Sequence, residues 1–105
     1  MDAQTAHTRR ADVTVVDVRE DEEWAAGHIS DARHIPLGQL RTRLGELAPE
    51  RVLVTVCRSG KRSAKAHALL TAAGRRVDDL DGGMQAWAAA GLPVVTDDGR
   101  PGTVA

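Results

Sequence analysis

Val52-Leu53-Val54-Thr55-Val56-Cys57-Arg58-Ser59-Gly60-Lys61-Arg62-Ser63 runs two patterns together without a break. The first five residues are apolar and mostly β-branched, the composition of a short buried strand. Beyond the stretch, Ala66, Leu69, Leu70 and Ala73 fall at i, i+3, i+4 and i+7, one face of an amphipathic helix. Gly74 follows where a helix C-terminus favours left-handed backbone. The segment from Cys57 onward therefore turns a strand into a helix. Such a turn gathers backbone N–H groups at the helix N-terminus, where they favour an anion. Cys57 is the only cysteine, and these donors, the helix dipole and the neighbouring Arg58, Lys61 and Arg62 all favour its thiolate.

Working outward, the same alternation recurs. Residues 2–10 suit a short helix with Asp2 as N-cap, and residues 13–18 read as a strand with Asp17 near its C-terminal end. Glu20-Asp21-Glu22-Glu23 opens a short helix that Gly27 closes, since acids in a first turn complement the macrodipole. Residues 28–36 read as a connector, and Leu37, Leu40, Leu44 and Leu47 mark a second helical stripe closed by Pro49. Arg76-Val77-Asp78-Asp79-Leu80 is the weakest strand, Gly82-Gly83 breaks the chain, and Met84, Trp87, Ala88 and Gly91 share a last helical face. Strands alternating with helices imply parallel pairing through right-handed crossovers. The expected architecture is a three-layer α/β domain over residues 1–96, followed by a loose polar tail over residues 97–105. Ligands in such folds gather at the C-terminal ends of the strands, where Asp17 and Cys57 both fall.

Composition removes several alternatives. The chain has 105 residues with a formal net charge of −1, which disfavours a nucleic-acid or anionic-membrane binder. No apolar run approaches the roughly 20 residues that a membrane helix needs. The N-terminal residues lack the apolar core of a secretory signal. A lone cysteine forms no internal disulfide, which suits a reducing compartment and makes the cytoplasm the expected location. Phe and Tyr are absent, so Ala, Val, Leu, Ile, Met and two Trp must build the core.

With these residues assembled, the sequence resembles the rhodanese family of sulfurtransferases in four segments that cover most of the chain. Val16-Asp17-Val18-Arg19-Glu20 is similar to the family's first-strand signature. Glu23-Trp24-Ala25-Ala26-Gly27-His28-Ile29 with Ile35-Pro36 resembles its second conserved stretch. Cys57-Arg58-Ser59-Gly60-Lys61-Arg62-Ser63 resembles its active-site loop, and Gly82-Gly83-Met84 with Trp87 and Gly91-Leu92-Pro93 its C-terminal signature. Two departures stand out. Asp31 occupies a position that is commonly glycine in the family, and the chain starts late, which puts the usual opening edge strand in question. The resemblance thus implies a rhodanese-like three-layer α/β/α domain with a central, mostly parallel sheet of four to five strands.

It also implies two-step transfer through a covalent intermediate. Cys57 takes a sulfane sulfur from thiosulfate or a persulfide donor and passes it to cyanide or a thiol, such as a thioredoxin-like protein or a low-molecular-weight thiol. Splitting one transfer into two is what an activated cysteine is suited to do. The N–H groups of residues 58–62 would form a nest around the terminal sulfur. No cofactor is called for, and His7, His34 and His67 show no metal-ligand spacing. Arg58, Lys61 and Arg62 have two candidate jobs, lowering the Cys57 pKa and guiding an anionic donor, while Ser59 and Ser63 would donate hydroxyl hydrogen bonds. Asp17 and Arg19 are candidate supports behind the loop, with a fold-holding ion pair as the simpler reading. Glu20 to Glu23 read as a solvated helical turn, His28 and Met84 as structural, and both Trp as core.

Two other functions compete. A rhodanese-like module without catalysis could bind a partner or sense redox state, although the intact cysteine loop argues against lost catalysis. Some phosphatases and arsenate reductases also cradle a thiolate with an arginine, but five residues separate their Cys and Arg. Here four residues lie between Cys57 and Arg62, a tighter loop that suits one sulfur atom better than a tetrahedral oxyanion.

Overall fold

A computed structural model describes residues 1–105. Four strands form the sheet, β1 (Val13–Asp17), β2 (Arg33–His34), β3 (Val52–Val56) and β4 (Val77–Asp79), in the order β2-β1-β3-β4. Every pairing is parallel, with Val15 opposite Val54 and Thr55 opposite Asp79. Helices α1 (Ala3–Thr8), α2 (Asp21–Ala26), α3 (Lys61–Ala72) and α4 (Gly83–Ala89) complete the chain. No helix is long and apolar enough to cross a membrane.

Strand alternation divides the core in two. Val13, Val15, Val54 and Val56 face one way and pack with Ala3 and Ala6 of α1 and with Met84 and Trp87 of α4. Val16, Val18, Leu53 and Cys57 face the other way and pack with Ala66 and Leu70 of α3 and with Ile35, Leu40 and Leu47. The three expected layers are present. Met84 and Trp87 are buried core residues as expected, and Asp2 caps α1 by accepting the Thr5 N–H at 2.7 Å.

Three local expectations are corrected. The leucine stripe from Leu37 to Leu47 is two separate 3-10 turns, Leu37–Gln39 and Leu44–Glu46, rather than one helix. Gly38 and Gly45 sit inside those turns, and glycine weakens a continuous helix enough for burial of Leu40 and Leu47 to decide the path. The supposed connector contains β2, whose two residues are too few to show alternation. Residues 97–105 also turn back onto the domain. Gly102 N–H donates to Val94 O at 2.7 Å and Thr103 N–H to Ala26 O at 2.9 Å. This close approach needs bare backbone, since a Cβ on Gly27 would lie 2.6 Å from Thr103 O.

The outer edge of β4 is partly covered. Met1 lies against the outer edge of β4, its amine donating to Asp79 O at 2.9 Å and its carbonyl accepting from Asp81 N–H at 2.8 Å. One residue thus occupies the edge where a fifth strand would pair. The edge is blunted further by Asp78, whose carboxylate accepts the Asp79 N–H at 2.8 Å.

A thiol cradle at the carboxyl end of the sheet

Cys57 is the first residue after β3 and continues its alternation, so its side chain enters the α3 side of the core and is 1 % exposed. The chain then reverses through Gly60, whose φ of 113° is a backbone state that side-chain-bearing residues rarely adopt. Nothing lies within 4 Å of a Cβ built there, so the backbone angle and not crowding calls for glycine. The reversal sets Gly60 N–H 2.9 Å from Cys57 Sγ.

The sulfur has further partners. Ser63 Oγ lies 3.6 Å from it; beside the neutral thiol the Ser63 hydroxyl donates to Gly60 O at 3.0 Å, tying the first turn of α3 to the loop, and beside the thiolate it can turn to donate to the sulfur. Burial pushes the Cys57 thiol up, but hydrogen bonds from the Ser63 side chain and from the backbone N–H groups of Ser63, Gly60 and Arg62 outweigh it. The thiol therefore lies below its ordinary pKa. Behind the loop, Met84 and Gln85 N–H groups at the start of α4 donate to Cys57 O at 2.8 Å and Arg58 O at 3.1 Å. These bonds need Gly83, because a Cβ there would lie 2.7 Å from Arg58 O and nearer still to Cys57 O.

The three cations of the loop take different positions. Arg62 forms a two-pronged ion pair with Glu23 of α2, Nη1 to Oε1 at 2.5 Å and Nη2 to Oε2 at 2.7 Å. Arg58 donates from Nε to Ala105 O at 2.9 Å, and Lys61 is exposed. Arg62 and the Cys57 charge still attract one another through space. The direct donors to the sulfur, however, are the loop N–H groups and Ser63. Ser59 is exposed and makes no contact with the thiol.

Glu23 is the site residue that the sequence reading missed. Arg62 first, and the Glu20 backbone N–H second, hold its carboxyl at about 2 against the upward push of burial. The only signal in the sequence was its place at the third position of a helix with a glutamate N-cap. That position makes it part of a capping box with Glu20, and so keeps it from being a freely solvated acid.

Asp17 and Arg19 do not reach the cradle. Both are buried in a two-pronged pair, Arg19 Nε to Asp17 Oδ1 at 2.9 Å and Nη2 to Oδ2 at 2.8 Å. Arg19 Nη2 also donates to Gly27 O at 2.8 Å, so the pair ties the end of β1 to the end of α2. Neither side chain donates to or accepts from the Cys57 loop; both belong to the joint of β1 with α2. His28 is likewise structural, its Nδ1 2.9 Å from Trp24 O. Trp24 departs from its expected core role: it lies between His28 and His34, with ring centroids at 3.6 and 4.8 Å, and donates to Asp97 Oδ1 at 3.1 Å.

The site is thus a thiol held under backbone donors at the carboxyl end of β3, inside a parallel α/β sheet. The chain belongs to the rhodanese-like domain family, whose match covers residues 2–90. A sulfurtransferase from Allochromatium vinosum is 41% identical over 103 residues, covering 94% of this chain and 96% of that protein. An HTH-type transcriptional regulator from Mycobacterium tuberculosis is 47% identical over 92 residues, covering 86% of this chain. The chain spans only 40% of that regulator's length. Among solved structures, a rhodanese-related protein from Thermoplasma volcanium superposes with a TM-score of 0.87 at 34% identity, covering 90% of this chain and 95% of that one.

Proposed function

We propose that this domain is a sulfurtransferase that carries a sulfane sulfur on Cys57. The observation behind this reading is the seat of the thiol, with Gly60 N–H 2.9 Å from Sγ and Ser63 directly behind it. In the first step the Cys57 thiolate attacks the outer sulfur of thiosulfate or of a persulfide. The donor's S–S bond breaks, and its electron pair leaves on sulfite or on the donor thiolate. In the second step a thiol or cyanide attacks the outer sulfur of the Cys57 persulfide, and the Cys57 thiolate is regenerated. The sulfur changes hands with no external oxidant or reductant, and no cofactor is required.

The loop supports this chemistry because its donors converge on one small atom. N–H groups that favour the thiolate would also hold the negative outer sulfur of the persulfide. A donor panel read by intact mass spectrometry tests the reading. Thiosulfate or a low-molecular-weight persulfide should add one sulfur atom to the protein, and Cys57→Ser should abolish the addition. A protein that gains no sulfur from any donor while Cys57 still alkylates would overturn it in favour of a binding module.

A further inference from the structure

The three cations of the loop are not equally available to a substrate. Both Nη groups of Arg62 are taken up by the two oxygens of Glu23. Glu23 cannot easily swing away, since its side chain is only 16% exposed and Oε1 also accepts the Glu20 N–H at 3.0 Å. A two-pronged pair held from behind is fixed in geometry and close to neutral as a unit. Arg58 gives only its Nε to Ala105 O and is otherwise exposed, as Lys61 is, so Arg62 is the one cation of the loop whose charge is taken up by a carboxylate.

Donor charge then matters. Thiosulfate is a dianion that must approach a thiolate, and its sulfonate needs counter-charge beside the cradle. To use Arg62 it must displace Glu23; otherwise it meets the carboxylate of a paired residue. A persulfide on an uncharged carbon chain, R–S–SH, asks only for the loop N–H groups. Building on the sulfurtransfer reading, we infer that the Glu23–Arg62 ion pair is a specificity determinant that withdraws the Arg62 guanidinium from anion binding and selects organic persulfides over thiosulfate. In that transfer the Cys57 thiolate bonds to the outer sulfur, which keeps its proton, while the S–S bond breaks and R–S⁻ leaves with the electron pair. The reaction that supplies this substrate must therefore be one that forms a persulfide on a thiol.

Glu23→Gln is the informative variant, because glutamine still serves at the third position of a capping box while the charge is lost. Single-turnover loading of Cys57 is followed by mass spectrometry with two probes, thiosulfate and the persulfide of 2-mercaptoethanol. The native protein should load faster from the persulfide. In Glu23→Gln the ratio of the two rate constants should move toward thiosulfate by about tenfold, with a steeper salt dependence for thiosulfate. In an Arg62→Gln background, Glu23→Gln should move the ratio far less, since the freed guanidinium is what the dianion would use. Glu22→Gln, an exposed neighbour on the same helix, controls for general charge. Equal changes with both donors would overturn the inference and leave Glu23 a support of the loop. An unmoved ratio would also overturn it while leaving sulfurtransfer intact. No loading from either donor in the native protein would remove the sulfurtransfer reading itself, and this inference with it.

Discussion

Asp31 is the one non-glycine residue with positive φ, at 67°. It lies in the turn before β2, and its side chain is exposed. Aspartate tolerates the left-handed region better than most residues, yet the conformation still costs free energy that glycine would not incur. Asp31→Gly is expected to stabilise the fold by up to about 1 kcal/mol, the strain relief being partly offset by the greater freedom of glycine when unfolded. A higher midpoint in thermal denaturation would check this. The strain belongs to the far side of the sheet from Cys57, near Arg10 and Arg33. Sulfur loading is therefore not the measurement that Asp31 should move.

The joint between the Cys57 loop and α4 carries the next expectation. Gly83 sits at φ 59°, where an added Cβ would meet the carbonyl oxygens of Cys57 and Arg58. These are backbone atoms already accepting hydrogen bonds from Met84 and Gln85, so relief requires moving one element off the other. Gly83→Ala should destabilise the domain by about 3 kcal/mol, combining left-handed strain with overpacking. Urea denaturation monitored by tryptophan fluorescence would measure the loss. This joint was half legible in the sequence. Gly82-Gly83 announced a break, and the β-branched run before Cys57 with the spacing of Ala66 and Leu70 announced strand and helix. What could not be read was non-local. Glu23 and Arg62 are 39 residues apart, and nothing local distinguishes Glu23 from its acidic neighbours except a capping position. The leucines from 37 to 47 failed for a different reason. Spacings of three and four describe successive 3-10 turns as well as an α-helix, and burial of Leu40 and Leu47 against the sheet settles the matter.

At the scale of the molecule, the C-terminal segment acts as a strap. His28 and Val95 exchange backbone hydrogen bonds at 2.8 and 2.9 Å, Thr103 is bonded to Ala26, and Val104 packs against the core beside α1 and α4. Removing residues 102–105 should uncover buried Gly27 and lower stability by about 1–2 kcal/mol, a drop of about 5 °C or more in the midpoint for a domain of this size. Differential scanning calorimetry would show it. Little in the sequence announced the strap, because Asp97-Asp98-Gly99-Arg100-Pro101 has the composition of a free tail. The contact depends on two glycines, Gly27 and Gly102, that meet across 75 residues.

An all-parallel sheet contains no hairpin, and this bears on the order of events during folding. Each strand must wait for a crossover, and the central pairing of β1 with β3 joins residues nearly 40 positions apart, as in Val13 with Val52. Contacts of this kind accrue late because chain closure must precede them. The donors around Cys57 come from the turn after β3, and the joint behind it comes from α4, near the end of the domain. Until those parts meet, the sulfur is an ordinary thiol on a disordered chain. The single cysteine is thus a marker of maturation, its acidity arriving when the turn after β3 and the first turn of α3 close around the sulfur.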